Sequence, residues 1–316
     1  MSFFLDPEVA AATSRFFGEP VEFAPMPIGD IGNRRNLLEA VHAKIDVAQP
    51  VPTDVVIKDF ETTTADGATL LLRWYSKEGA SPGSAVLFLH GSGMILSSVA
   101  LYDGTVARYV SSSGVPFLSV EYRLAPEFMH PTPVEDAFAG LTWLAEHAKE
   151  LGVDPIRIAV MGDSGGGGIA AGLALLARDR GGPSIARQIL LYPMLDDRTT
   201  TPDPELAGLT TWSYEDNATG WQALLGEACG GPNVSPYAAP ARMMSATGMP
   251  PLYMEALELD IFRDEDIEFA RRTAAAGIST ELHVHPAVPH AFEAVAFDTA
   301  VARRMAADRI RVLRSL

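Results

Sequence analysis

The 316-residue sequence has a single cysteine, Cys229. One cysteine excludes an internal disulfide framework and fits a reducing compartment. The sequence also lacks an apolar run close to the roughly 20 residues that a membrane-spanning helix needs. Residues 1–8 contain no basic segment and are interrupted early by acids and a proline, so we expect no secretion signal there. Together these absences predict a cytoplasmic protein.

Basic residues are scarce as well, because 24 Lys and Arg stand against 40 Asp and Glu and leave a net charge of -16. Such a charge repels nucleic acid and anionic membrane surfaces at long range, whereas a neutral small molecule is unaffected. We therefore expect no nucleic-acid partner and no membrane partner. The glycine cluster at 165–168 lacks the spaced glycines and the following Lys-Ser/Thr of nucleotide-binding fingerprints, so no cofactor is implied.

Strand-like apolar runs alternate with helical stretches over most of the chain. For example, an apolar run at 116–121 lies between helical patterns at about 102–111 and 134–148. This alternation predicts an α/β fold with a mostly parallel central sheet and helices on both faces. A chain of this length with 47% hydrophobic residues can bury one large core, so we predict a single domain over 1–316.

Ser164 lies in a glycine-rich segment between an apolar run and a helical pattern at 169–178. Gly162 and Gly166 flank it as Gly-x-Ser-x-Gly, which is typical of a nucleophile elbow, where a tight strand-to-helix turn excludes side chains and exposes the hydroxyl. The amides and dipole at the start of the helix then lie where a carbonyl oxygen would become negative. A glycine-rich turn without a catalytic role would show the same pattern, so the surrounding motifs have to decide.

Upstream, residues 85–93 have the pattern of a buried strand that runs directly into His-Gly-Ser-Gly. A His-Gly-rich loop after an early strand supplies backbone N–H groups to an oxyanion hole, which the amide after the nucleophile completes. We therefore predict Ser92, Gly93 and Gly165 as the oxyanion donors. His90 is expected to hold the loop in place by hydrogen bonding.

Downstream, two strand-like runs late in the chain are each followed by a residue that could act with the serine in catalysis. Asp260 follows the apolar run at 251–256, and His290 follows the one at 280–285. The order Ser164, Asp260, His290 matches the chain order of an α/β-hydrolase triad, in which the imidazole takes the serine proton and the carboxylate fixes the imidazole tautomer. Other acids remain open for the carboxylate role: Asp264, Asp266, Asp196 and Asp197.

These motifs resemble the hormone-sensitive-lipase-like branch of the α/β-hydrolases, and most of all its bacterial heroin-esterase-like and acetyl-esterase-like members. That branch carries a His-Gly-Gly-Gly type loop, a Gly-Asp-Ser-Ala-Gly-Gly elbow, an Asp-Pro-Leu-Arg-Asp-Glu acid loop and a His-Gly-Phe base loop. The resemblance covers about 85–293 and favours Asp260 as the acid. It includes the segment 121–127, in which we expect Arg123 and Glu127 to form a structural ion pair.

Several positions depart from the pattern of that branch. Ser92 and Ala291 replace glycines, Gly165 replaces the usual alanine, and Ile-Phe at 261–262 replaces Pro-Leu. The reacting groups are all kept. We expect these changes to affect substrate preference more than reaction type.

Two stretches lie outside the strand–helix alternation, at about 1–45 and 199–235. The resemblance implies that they form a helical cap over the serine. The cap residues Trp212 and Trp221 are expected to line a substrate pocket, although packing between cap and core would explain each of them equally well. Met94 and Ile95 follow Gly93 directly and are expected to line the same closed, apolar pocket.

The resemblance implies a serine carboxylesterase that hydrolyses small, neutral, short-acyl esters through an acyl-enzyme on Ser164. An amidase or small-peptide hydrolase with the same triad is an alternative. A non-catalytic ligand-binding protein on the same fold is a third, but that class typically lacks the histidine. A small-molecule ester is the expected partner, and a homodimer remains open. His283, His285 and His290 suggest no metal site, because no fourth ligand is evident.

Overall fold

The computed structural model describes residues 3–18, 26–91 and 93–316. Within these parts of the chain, the strands are β1 (Val55–Thr63), β2 (Thr69–Lys77), β3 (Ala85–Leu89), β4 (Phe117–Val120), β5 (Ile158–Asp163), β6 (Arg187–Leu191), β7 (Leu252–Leu259) and β8 (Thr280–Pro289). The α-helices are α1 (Pro7–Phe17), α2 (Ile31–Ala48), α3 (Asp103–Ser113), α4 (Thr132–His147), α5 (Ser164–Arg180), α6 (Tyr214–Leu225), α7 (Arg263–Ala275) and α8 (Ala300–Arg314).

The strands form one sheet in the order β1-β2-β4-β3-β5-β6-β7-β8. The pairs β1/β2 and β2/β4 are antiparallel, and every pair from β4 through β8 is parallel. The predicted mostly parallel α/β sheet is therefore confirmed. The antiparallel edge is made by β1 and β2, which are joined by a short turn instead of a crossover helix.

The central strands are apolar because both of their faces are covered. Every residue of β3 and of β5 is buried, as expected for parallel strands between two helical layers. Successive side chains point to opposite faces. Leu87 and Leu89 accordingly belong to one core cluster, and Val86 and Phe88 belong to another.

The helices divide between the two faces of the sheet. Buried side chains of α4, α5, α6 and α7 belong to the first core cluster, and those of α1, α3 and α8 belong to the second. This confirms the predicted helical layers on both faces. Among the described helices, none combines the length and the apolar character that crossing a membrane requires.

The two stretches outside the alternation contact each other. Arg34 of α2 donates to Asp216 of α6 at 2.7 Å, and the Gly29 amide donates to the Thr219 hydroxyl at 3.0 Å. Helix α1 differs, because its buried residue Val9 packs in the second core cluster with α3 and α8. The contact between α2 and α6 is what brings the two stretches together.

The loops that carry the predicted site leave the sheet at one edge. Strands β3, β5, β7 and β8 run parallel, so their carboxyl ends lie on the same side. In open α/β sheets, ligands bind in the crevice at this edge, where the order of strands reverses. In this sheet the order reverses at β3. The next strand along the chain, β4, lies on one side of β3, and β5 lies on the other side.

Candidate active site

Ser164 is the first residue of α5 and lies in the turn that leaves β5. Its φ of 53° is in the left-handed region, which is strained for a residue with a side chain. A Cβ atom at Gly166 would collide with the carbonyl oxygens of Leu89 and His90, and one at Gly162 would collide with the Gly166 backbone. The flanking glycines are therefore required by close backbone contacts.

The structure brings the three predicted triad residues together. His290 Nε2 lies 2.8 Å from Ser164 Oγ, and His290 Nδ1 lies 2.5 Å from Asp260 Oδ2. The second carboxylate oxygen of Asp260 accepts a hydrogen bond from the Phe262 amide at 3.2 Å. Ser164 is 4% exposed, His290 is 6% exposed and Asp260 is 1% exposed. The hydrogen-bonded chain is therefore shielded from bulk water.

The surroundings of His290 favour its protonated form. Burial alone would lower the pKa of the imidazole, but the negative charge and hydrogen bond of Asp260, with further carboxylates at Glu293 and Asp163, raise the pKa above its ordinary value. An imidazole of this kind accepts a proton from a hydroxyl more readily than a free one. The geometry and the charges can therefore support proton transfer from Ser164.

Three of the other candidate acids are paired with arginines, and the fourth is buried. The Asp264 side chain is 79% exposed and pairs with Arg263, whereas Asp196 pairs with Arg198. Asp197 is buried against Arg242. Asp266 is fully buried, and burial raises its pKa well above the ordinary range.

A buried network of charged residues lies next to His290, the predicted base, and was not predicted from the sequence. Arg309 of α8 donates to Glu255 at 2.6 Å and to Glu293 at 2.8 Å. Glu293 also accepts from the Tyr192 hydroxyl at 2.6 Å, and the Tyr192 ring packs edge-on against His290 with centroids 5.0 Å apart. The network links α8 to the loop that follows β8 and carries His290, which is called the base loop below. No local motif marks it, because its members are far apart in the chain.

The oxyanion loop is defined here as residues 90–97, of which Ser92 lies outside the described residues. A Cβ atom at Gly165 would lie 2.8 Å from the backbone nitrogens of both Gly93 and Met94. These nitrogens therefore approach the start of α5 closely, beside the nucleophile. The predicted donors Gly93 and Gly165 are brought together, and the Met94 nitrogen is an additional neighbour that the sequence did not suggest.

His90 is held inside the oxyanion loop. Its Nδ1 bonds to the Gly91 carbonyl at 3.0 Å, and its ring stacks on Tyr122 with centroids 4.4 Å apart. Burial lowers the pKa of His90 to about 4, so the ring is neutral near pH 7. These contacts agree with a loop-holding residue.

The four predicted pocket residues have different surroundings. Met94 and Ile95 are buried in the first core cluster. The Trp212 ring lies against the oxyanion loop, since a Cβ atom at Gly93 would be 2.6 Å from it, and its centroid is 6.4 Å from that of His290. Trp221 is 1% exposed and belongs to the core cluster. Trp212 thus has the position of a pocket wall, and Trp221 has the surroundings of a packing residue.

The segment before α6 is also tied to the base loop, since the Thr211 hydroxyl donates to the His290 carbonyl oxygen. This contact was not predicted either. It places Trp212 next to a residue that is hydrogen-bonded to the base.

The prediction of an ion pair between Arg123 and Glu127 is wrong. Arg123 pairs with Asp136 at 2.7 Å and with Asp66 at 2.8 Å. Glu127 pairs instead with Arg35 of α2 at 2.7 Å. Residues four apart face each other on a helix, and the segment 121–131 is not helical.

His283 and His285 stack with ring centroids 5.9 Å apart, and His283 bonds to Glu281. His290 is bonded to Asp260 and Ser164 instead. Among the residues that the structure describes, no group of three or more His, Cys, Asp or Glu side chains is arranged to hold a metal ion.

A mostly parallel α/β sheet with serine, histidine and aspartate joined at its carboxyl edge is the architecture of an α/β-hydrolase. The chain belongs to this family, because the family described as alpha/beta hydrolase fold matches residues 86–294. The resemblance to the hormone-sensitive-lipase-like branch is thereby confirmed.

The chain is similar to several proteins named as ester hydrolases. It is 36% identical to esterase LipI of Mycobacterium tuberculosis (strain ATCC 25618 / H37Rv) over 208 residues, which span 66% of this chain and 65% of LipI, slightly under two thirds. It is 33% identical to ethyl acetate hydrolase of Pseudomonas putida over 248 residues, or 75% of each protein. The solved structure of bacterial heroin esterase matches with a TM-score of 0.87 and 35% identity, over 98% of this chain and 97% of that one.

Proposed function

We propose that this protein is a serine carboxylesterase that hydrolyses small, neutral, short-acyl esters through an acyl-enzyme on Ser164. The observation that carries the proposal is the buried chain of hydrogen bonds from Ser164 Oγ through His290 to Asp260. The relatives named as esterases support the same reaction class.

In the proposed mechanism, Ser164 Oγ attacks the ester carbonyl while His290 Nε2 takes the hydroxyl proton. The carbonyl oxygen becomes an oxyanion beside the backbone amides of Gly93 and Gly165, with Ser92 as a further predicted donor. Collapse of the tetrahedral intermediate breaks the bond to the alcohol, which leaves with the proton from His290. A water molecule then repeats the sequence and releases the acid.

Two observations support small and neutral substrates. Ser164 and His290 are almost completely buried, and Trp212 lies over the oxyanion loop, so little space is open to a long chain. The net charge of -16 repels anionic substrates at long range. We further propose that the chain is a single domain whose cap is formed by the stretches at about 1–45 and 199–235, of which α2 is the part of the first that contacts the second. A cytoplasmic location stays a prediction, and a homodimer stays an open alternative.

A panel of chromogenic esters and matched amides tests this function, with Ser164→Ala as the control. The proposal expects ester hydrolysis that far exceeds amide hydrolysis and is lost in Ser164→Ala by on the order of 10⁶ in kcat, as in other serine hydrolases. Faster cleavage of the amides would identify an amidase. Binding of esters without turnover would identify a non-catalytic binding protein.

A further inference from the structure

The oxyanion loop depends on contacts from outside itself. Gly93, Met94 and Ser97 have φ values of 62°, 65° and 75°, all in the left-handed region. Residues with side chains remain in that region only where their surroundings fix the backbone. The contacts of Met94 and of its neighbours therefore decide where the loop amides lie.

From the sheet side, two hydrogen bonds hold the loop, one at His90 and one at Met94. The Tyr122 hydroxyl donates to the His90 carbonyl at 2.7 Å. The Ala125 amide donates to the Met94 carbonyl at 3.0 Å. Both partners belong to the segment that follows β4.

From the other side, a single guanidinium of α2 reaches the loop. Arg35 Nε donates to the Ile95 carbonyl at 2.9 Å, and Nη2 donates to the Ala125 carbonyl at 3.3 Å. The two terminal nitrogens also bind the two carboxylate oxygens of Glu127, at 2.7 Å and 2.9 Å. Because the guanidinium is planar, this bidentate pairing fixes the direction in which Nε points.

The ion pair of Arg35 and Glu127 orients the guanidinium toward the loop and adds little to the stability of the fold. Their side chains are 32% and 52% exposed, and ion pairs as exposed as this contribute little to stability. The hydrogen bond from Arg35 lowers the pKa of Glu127 to about 2, so the pair is charged throughout the neutral range.

The preceding residue, Arg34, makes different contacts. Its side chain is 4% exposed and binds Asp216 of α6 together with the carbonyls of Pro27 and Asp30. Arg34 therefore joins the two cap stretches to each other. Arg35 joins the cap to the oxyanion loop.

We propose that Arg35 is a positioning residue of the oxyanion hole, which holds the amides around Gly93 in place once α2 has docked on the loop. This inference rests on the proposed function, since it assigns a role in the same reaction. Arg35 acts through the backbone of Ile95 and does not touch the substrate. The Glu127 carboxylate is its orienting partner.

The test compares Arg35→Met with Arg271→Met, which removes an exposed arginine bidentate to Glu268 on α7. Each variant is assayed for kcat and KM with p-nitrophenyl butyrate and for affinity toward an alkyl trifluoromethyl ketone. Ser164 Oγ adds to the ketone carbon, the proton passes to His290, and the ketone oxygen becomes an oxyanion in the hole. The ketone therefore reports on the hole, and KM reports mainly on substrate contacts.

We expect Arg35→Met to lower kcat by about tenfold to a hundredfold, the scale of misplaced catalytic groups, with KM changed by less than about threefold. Affinity for the trifluoromethyl ketone should fall by the same factor as kcat/KM. Arg271→Met should match the native protein in all three quantities. A normal kcat in Arg35→Met, or a loss confined to KM, would overturn the proposal.

Two further variants keep the test decisive if Arg35→Met folds poorly. Arg35→Lys retains the charge but loses the planar fork, and Glu127→Gln retains Arg35 but weakens its orientation. Both should lose kcat and ketone affinity together, and Arg35→Lys combined with Glu127→Gln should lose less than the product of the single effects, because the residues act as a unit. Independent, multiplicative losses would count against the inference.

Failure of this inference is distinguishable from failure of the proposed function. If the native protein binds the ketone tightly and Arg35→Met binds it equally well, only the role of Arg35 is wrong. If the native protein neither hydrolyses esters nor binds the ketone, the proposed function is wrong and the role of Arg35 falls with it.

Discussion

His290 is bonded at both ring nitrogens, to the Asp260 carboxylate at 2.5 Å and to the Ser164 hydroxyl at 2.8 Å. A base in this position has to be neutral before the reaction and cationic during it. Burial opposes the cation, and the charge of Asp260 supports it, so the balance between the two sets the working pH range. The pH range in which His290 can act as the base therefore depends on Asp260.

The pH profile tests this balance. Because the pKa of His290 is raised above its ordinary value of 6.5, kcat/KM should fall as pH decreases through a midpoint above 6.5. In Asp260→Asn the charge that raises the pKa is lost while burial remains, so the midpoint should move to lower pH. The same substitution should reduce kcat by about 10⁴, because the amide stabilises the wrong imidazole tautomer.

Asp264→Asn is the matched control, since Asp264 lies four residues further on, in the first turn of α7, and is exposed and paired with Arg263. It should leave both the midpoint and kcat close to those of the native protein. Near-normal rates in Asp260→Asn would contradict the assignment. The acid would then have to be sought at Asp196 or Asp197.

Single site residues could be predicted from the sequence where a local motif, or the order of residues along the chain, marks them. The glycines around Ser164 mark a backbone turn, and the late positions of Asp260 and His290 match the chain order of a triad. The partners of Arg35 and Glu127 could not be found in the same way, because 92 residues separate them. The nearer pairing of Glu127 with Arg123 was predicted and is wrong, because the segment between them is not helical.

At the scale of elements, the start of α5 and the oxyanion loop are packed backbone to backbone. The contact is close because Gly165 has no side chain. The resembled branch has alanine at this position and glycine where this chain has Ser92. Glycine at position 165 permits the close approach between the oxyanion loop and the start of α5.

Gly165→Ala tests that contact. The new Cβ atom would lie 2.8 Å from the Gly93 and Met94 nitrogens, closer than nonbonded atoms allow, so the loop has to move. Overpacking of this kind costs about 1–3 kcal/mol, and we expect kcat to fall by about tenfold or more through misplaced amides. Steady-state kinetics with a short ester, together with a thermal melt, measures both effects.

Gly32→Ala is the comparison variant, since Gly32 is exposed on α2 and no atom lies within 4 Å of its added Cβ. It should be active and no less stable, because alanine favours a helix over glycine. If Gly165→Ala behaved like Gly32→Ala, the close approach of the loop would have no functional consequence.

The alternation of apolar runs and helical patterns was sufficient to predict the central strands and several helices, but not how the peripheral elements contact one another. The ends of helix α1, Pro7–Phe17, coincide with local signals in the sequence: an acidic N-cap, a proline in the first turn and a glycine after the last turn. The contact between α2 and α6 depends on Arg34 and Asp216, which are 182 residues apart. Sequence patterns carry no information about such a distance.

At the scale of the whole molecule, the sheet edge, the oxyanion loop and the stretch around Trp212 enclose the triad. Two tethers hold this enclosure together, from Thr211 to the base loop and from Arg35 to the oxyanion loop. The space available to an acyl chain is therefore set by side chains that are fixed in position. We expect a substrate limit that is steep and not gradual.

With p-nitrophenyl esters, kcat/KM should peak between acetate and hexanoate and then fall. Each methylene that fits contributes about 0.8 kcal/mol of burial, or about fourfold in kcat/KM, whereas one that does not fit has to displace packed groups. Trp212→Ala should move the peak to longer chains, and Trp212→Phe should move it less. A peak at long acyl chains in the native protein, or a jump in rate above the solubility limit of the substrate, would identify a lipase.

Acylation of Ser164 is the step on which the proposed reaction depends, and covalent labelling of this serine can be observed. The protein is treated with an organophosphonate ester, and the modified residue is located by peptide mass mapping in the native protein and in Ser164→Ala. We expect one adduct, on Ser164, with loss of esterase activity in step with labelling and no adduct in the variant. An adduct on another residue, with ester hydrolysis retained in Ser164→Ala, would contradict it.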